Sequence, residues 1–150
     1  MNRDKLVQRI VWIALFVAFF VIYLNYIKSQ PEPEPVKKIV VYYTAWSMDV
    51  AADLSCRDLV TFNQSVTLSG TLQVTEFMTA LSRADLREFA DMDSIDPRIC
   101  CLLYDRDDGV VKTISFSRTM LMQIDDVTFE ADGPLFQLVL RYLPSDYLET

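Results

Sequence analysis

Histidine is absent from all 150 residues. That removes Ser-His-Asp and Cys-His catalysis and the usual imidazole metal sites together. Glycine is almost as scarce: Gly70, Gly109 and Gly133 are the only three. None belongs to a phosphate-cradling loop, which excludes nucleotide binding. Cysteine is limited to Cys56, Cys100 and Cys101, which form neither a CxxC pair nor a zinc spacing. Positive charge is short as well. From residue 36 onward the chain carries 10 Lys plus Arg against 18 Asp plus Glu. Such a surface repels nucleic acid and anionic headgroups, so no nucleic-acid partner is expected.

The apolar residues concentrate near the N-terminus. Residues 11–27 read VWIALFVAFFVIYLNYI, with no charge and with Asn25 the one strongly polar member. Leu, Ile, Val and Phe there each favour insertion by about 0.3–0.6 kcal/mol at mid-bilayer. Arg9 and Lys28 flank the segment at about 28 Å along a helix, close to the roughly 30 Å of hydrocarbon, and both can snorkel. Trp12, Tyr23 and Tyr26 fall where interfacial aromatics sit. No small-residue cleavage site follows, so an uncleaved signal-anchor is expected over a signal peptide. Apolar character all round argues against a soluble core helix.

The expected organisation is a cytoplasmic flank over residues 1–9, a single transmembrane helix over 10–27, a linker over 28–36 and a domain over 37–150. The linker contains QPEPEP, whose prolines favour an extended polyproline II spacer of about 19 Å. Sidedness is less directly written. Arg3, Lys5 and Arg9 are matched in number by Lys28, Lys37 and Lys38. Glu32 and Glu34 dilute the second set, so the N-terminus is assigned to the cytoplasm and the domain to the extracytoplasmic side, whether periplasmic, extracellular or lumenal.

Within the domain, residues 38–46 (KIVVYYTAW) predict a strand buried on both faces. A short strand is expected at 59–62, and alternation predicts another over 66–74, with Val66, Leu68, Leu72 and Val74 on one side. Thr75 is read as the cap of a helix that breaks near Ser82, where a second cap with Asp85 opens another. Residues 98–104 (RICCLLY) predict a central strand, returning through Asp108-Gly109 along 110–116. A hairpin follows in 120–130, turning at Asp125-Asp126. Asp132-Gly133-Pro134 starts a last helix, with Leu135, Leu138, Val139, Tyr142 and Leu143 as its stripe, and Pro144 ends it. The expected fold class is α+β: a mostly antiparallel sheet with two or three helices on one face.

Candidate chemistry is thin. Cys100 and Cys101, adjacent in a strand, point to opposite faces, so at most one can pair with Cys56. Buried free thiols are the first expectation; a disulfide from Cys56 to Cys100 or Cys101 is the alternative in an oxidising compartment. The acidic clusters Asp91, Asp93 and Asp96, then Asp105, Asp107 and Asp108, then Asp125 and Asp126, suggest calcium. The EF-hand pattern needs Gly at position 6, where counting from Asp105 gives Val110 and from Asp91 gives Asp96. These carboxylates read instead as turn and cap residues. Asn63-Gln64-Ser65 matches the N-glycosylation tripeptide.

No catalytic residue, metal or cofactor is expected, and the chain is not read as an enzyme. The expected function is a membrane-anchored binding module, an accessory subunit of a membrane complex or an immunity- or inhibitor-type protein. Its expected partners are the bilayer, through residues 10–27, and a protein at the membrane, a basic one being what the acidic surface suits. The alternative is a membrane-tethered small-ligand or ion sensor.

Overall fold

In the computed structural model, residues 12–13, 15–20, 22, 35–49, 53–89 and 95–149 are described. The chain divides into two units between residues 34 and 35. In the first, the described residues are helical, and Trp12, Ile13, Leu15, Phe16, Val17, Phe19, Phe20 and Ile22 are all exposed. Among the described residues, no helix is long and apolar enough to cross a membrane. Much of the expected 10–27 span, its flanks Arg9 and Lys28, the 1–9 segment and most of the linker lie outside the described residues.

The second unit is α+β, built on a six-stranded antiparallel sheet. Its elements are β1 (Lys38–Tyr43), α1 (Cys56–Phe62), β2 (Ser65–Leu68), α2 (Thr71–Arg83), β3 (Pro97–Tyr104), β4 (Val110–Ser117), β5 (Leu121–Ile124), β6 (Val127–Glu130) and α3 (Gly133–Tyr142), then a 3-10 turn at Tyr147–Glu149. The strand order is β2-β1-β3-β4-β5-β6. β3, the most continuously apolar strand, lies inside, pairing Cys101 with Val41 on one side and Ile114 on the other.

One face of the sheet carries the main core. Ile39, Val41, Ile99, Cys101, Leu103, Ile114, Phe116 and Met122 meet Val74 and Phe77 of α2 and Leu135, Phe136 and Val139 of α3. α3 starts as its sequence demands: Asp132 accepts from the Leu135 amide at 2.9 Å, with Pro in the first turn. Phe136 joins the expected stripe because it packs on Phe116, ring centroids 5.5 Å apart.

Three expectations are corrected. The 59–62 segment is helical, because Ser55 and Asp58 form a reciprocal capping box that nucleates α1. The strand expected over 66–74 stops at Leu68, and α2 begins at Thr71 after Gly70. Val74, Phe77, Met78 and Leu81 follow the i, i+3, i+4, i+7 rule and face the core, while Leu72, in the alternating reading a core residue, is 85% exposed. No second helix opens at Ser82. After Arg83 the chain is extended, and Glu88 bridges to Phe129.

The helices also do not share one face. Cys101 belongs to the main core, so its neighbour Cys100 points to the opposite face, where it is bonded to Cys56 at the start of α1. Leu59, one turn further along α1, is fully buried there. α2 and α3 cover one face; α1 covers part of the other.

Candidate interaction surface

The face beneath α1 is held by an unusual polar group. Arg98 sits second in β3 with its side chain 1% exposed, and its Nη1 donates to Asp96 Oδ1 at 2.7 Å. Nη1 also reaches the Pro97 carbonyl at 3.2 Å and Nη2 the Met48 carbonyl at 3.1 Å. Asp96 Oδ1 accepts from the Leu54 amide at 3.0 Å. Among the described residues the Arg98 Nε–H finds no partner. Together with the Cys56–Cys100 bond, these contacts fasten the chain that leads from β1 into α1 against the sheet. The disulfide partner left open by the sequence is Cys100, and the free-thiol expectation for Cys56 and Cys100 is replaced. Cys101 remains a free, buried thiol, and burial pushes its pKa far above the ordinary range. It is not a usable nucleophile.

The acidic residues mostly shape turns. Asp105 Oδ1 accepts from the amides of Asp107 and Gly109, both at 2.8 Å. Asp125 Oδ1 accepts from Thr113 at 2.9 Å. Asp108 and Asp125 hold left-handed φ values of 63° and 52°, which Asp tolerates better than bulkier residues. Asp108 Oδ1 lies 2.9 Å from Lys38 Nζ. That hydrogen bond, with Lys37 adding to it, holds the carboxyl below its usual pKa and raises that of Lys38. Asp91 and Asp93 lie outside the described residues. Among those described, no three His, Cys, Asp or Glu side chains are grouped to hold a metal ion.

Two sheet edges differ. The outer edge of β6 is covered: Phe89 N–H donates to Thr128 O and Glu130 N–H to Arg87 O, both at 2.9 Å. β2 has no strand on its outer side among the described residues, and its Ser65 and Thr67 are exposed. Asn63 caps α1 at φ 58°, and the tripeptide Asn63-Gln64-Ser65 is exposed.

One cleft opens near the covered edge. It has a volume of about 580 Å³ and is lined by Phe89, Thr119, Met120, Leu121, Glu130 and Ala131. A second, of about 350 Å³, lies between Tyr43, Gln64 and Tyr147. Both are surface depressions. Among the described residues the first is mainly apolar with one ionisable wall residue, Glu130, so it can seat an apolar group.

Sequence reasoning singled out the cysteines and the acidic turns but missed Arg98 and Met120. An Arg directly after Asp-Pro at the head of an apolar run was the available signal for the first. The second had none, because a left-handed Met depends on turn geometry. No protein-family model, curated protein or solved structure matches the chain.

Proposed function

We propose that the protein is a single-pass, membrane-anchored binding module. Residues 10–27 span the bilayer with Arg9 and Lys28 at its two surfaces, residues 1–9 face the cytoplasm, and the domain of residues 37–150 binds a protein partner outside it. An accessory subunit of a membrane complex and an immunity- or inhibitor-type protein both fit this description.

The observation that carries the reading is the exposure of eight apolar helical side chains between Trp12 and Ile22. At 100° per residue those positions occupy about 220° of the helix circumference, and in the sequence the apolar Ala14, Ala18 and Val21 fill the remaining arc. A helix that is apolar all round needs cover, and a bilayer supplies it. The uncharged stretch continues to Ile27 in the sequence. The Cys56–Cys100 bond supports the outward placement of the domain, since such bonds persist on the oxidising side of a membrane.

Binding is favoured over ligand sensing by the form of the clefts. A small-ligand site is usually concave and largely enclosing, with several convergent polar groups. The 580 Å³ cleft is a shallow apolar one with Glu130 as its ionisable wall residue among the described residues.

Three measurements test the proposal. The full chain should stay in the membrane pellet after alkaline carbonate extraction, and release into the supernatant would refute the anchor. In sealed vesicles the domain should resist protease added on the cytoplasmic side; its digestion there would reverse the assigned sidedness. Site-specific crosslinking in native membranes should yield a discrete partner, and its absence would remove the binding role.

A further inference from the structure

The cleft beside β6 combines three features that bear on what it holds. The first is Met120. It adopts φ 59°, in the left-handed region that costs a side-chain-bearing residue about 1–2 kcal/mol. The surrounding turn enforces it: Ser117 Oγ lies 2.8 Å from Thr119 Oγ1, accepts from the Leu121 amide at 3.3 Å and reaches the Leu121 carbonyl at 3.2 Å. Ala131 N–H then donates to the Met120 carbonyl at 2.8 Å. A long thioether is thus kept 47% exposed on a cleft wall, where a glycine would serve the turn better. Of the four described non-glycine residues with left-handed φ, Met120 is the one that is neither Asn nor Asp, and strain of this kind clusters at functional positions.

The second feature is apolar. Phe89 lines the same cleft and is partly exposed, and with Met120 it gives the cleft a soft, adaptable lining of the kind that binding surfaces use. The third is charge. Glu130 lines the cleft, and Asp132, two residues on, accepts from the Asp85 amide at 3.2 Å, while the Asp85 carboxylate itself is neutralised by Arg87. The nearby cations are already engaged, Arg87 with Asp85 at 3.0 Å and Arg118 with Asp49 at 3.5 Å. An apolar cleft with an excess of carboxylates on its rim selects an apolar group carried among positive charges, and it repels anionic lipid.

We propose that the cleft walled by Phe89, Met120 and Glu130 receives a Leu, Met or Phe side chain flanked by Lys or Arg on the partner protein. This rests on the binding-module reading and gives that partner a chemistry.

The test uses the full chain in phosphatidylcholine nanodiscs and a labelled peptide, acetyl-Lys-Lys-Phe-Leu-Lys-Lys-amide, with benzoylphenylalanine replacing Phe for photocrosslinking. Saturable binding is expected, weakened by salt, with crosslinks at Phe89 and Met120. Met120→Gly should weaken it at least tenfold while leaving the thermal midpoint unchanged or raised, because glycine suits this φ. Glu130→Gln should weaken it less. Binding insensitive to Met120→Gly, crosslinks scattered over the other acidic turns, or equal binding of the Glu-for-Lys peptide would overturn the proposal. So would preferential binding of phosphatidylserine vesicles. A partner crosslinked elsewhere on the domain in native membranes would preserve the binding-module reading while refuting this cleft.

Discussion

Arg98 and Asp96 are joined at 2.7 Å, yet they are unequally placed: the guanidinium is 1% exposed and the carboxylate 30%. Removing one partner is therefore not equivalent to removing the other. Asp96→Ala leaves a buried cation with only two carbonyls and should cost about 3–5 kcal/mol. Arg98→Met leaves a carboxylate that still meets solvent and the Leu54 amide, and it also removes the unpaired Nε–H. Its cost should be at least ~2 kcal/mol smaller. Urea unfolding of the two variants decides the matter, and equal losses would contradict this account of the pair.

The Cys56–Cys100 bond closes a loop of 44 residues in sequence separation. Loop closure of that size stabilises by about 4 kcal/mol on the chain-entropy estimate, with roughly 2–4 kcal/mol usual in practice. Reduction should therefore lower the thermal midpoint by roughly 10–20 °C for a domain of this size. Iodoacetamide should label nothing in the folded, unreduced protein and one residue, Cys101, after unfolding. Three labelled cysteines without reductant would eliminate the bond.

These two fasteners also explain what was legible in the sequence. β3, β4, the β5–β6 hairpin and α3 are written locally, in a continuous apolar run, turn residues and an Asp-Gly-Pro start, so they could be read without the fold. α1 is seven residues long with one buried apolar side chain, too short for a stripe. Its legible mark was Ser55 followed three residues later by Asp58. The register of α2 was obscured because Val66, Leu68, Leu72 and Val74 alternate across a strand, a glycine and a first helical turn. For the candidate site, the acidic rim could be anticipated from composition. The burial of Arg98 and the φ of Met120 depend on neighbours distant in sequence or on turn geometry.

Acid should weaken the domain partly through α1. Hydrogen bonds from the Ser55 hydroxyl and then the Ser55 amide hold Asp58 below the ordinary carboxylate range, with Arg57 assisting. A folded-state pKa below the unfolded one contributes stability that is present above about pH 4 and fades as pH falls through the folded value. Asp58→Asn should thus be less stable than the parent at pH 7, with the difference narrowing below about pH 4. Ser55→Ala should cost about 1 kcal/mol at neutral pH. A difference between Asp58→Asn and the parent that stays constant across that range would show that the capping box has no electrostatic share.

Leu59 and Cys56 lie three residues apart on α1, so one face of the helix presents both to the sheet. A seven-residue helix is not stable by itself. The covalent bond and the buried leucine must therefore act together: the bond keeps α1 in place, and only a helix in place can bury Leu59. With the bond intact, Leu59→Ala should cost about 3 kcal/mol, as full truncation of a buried leucine does. In a Cys56→Ser, Cys100→Ser background, part of α1 is already detached, and the same substitution should cost only about 1 kcal/mol. The double-mutant cycle then yields a coupling of about 2 kcal/mol, whereas additive losses would show that α1 docks on the sheet without help from the disulfide.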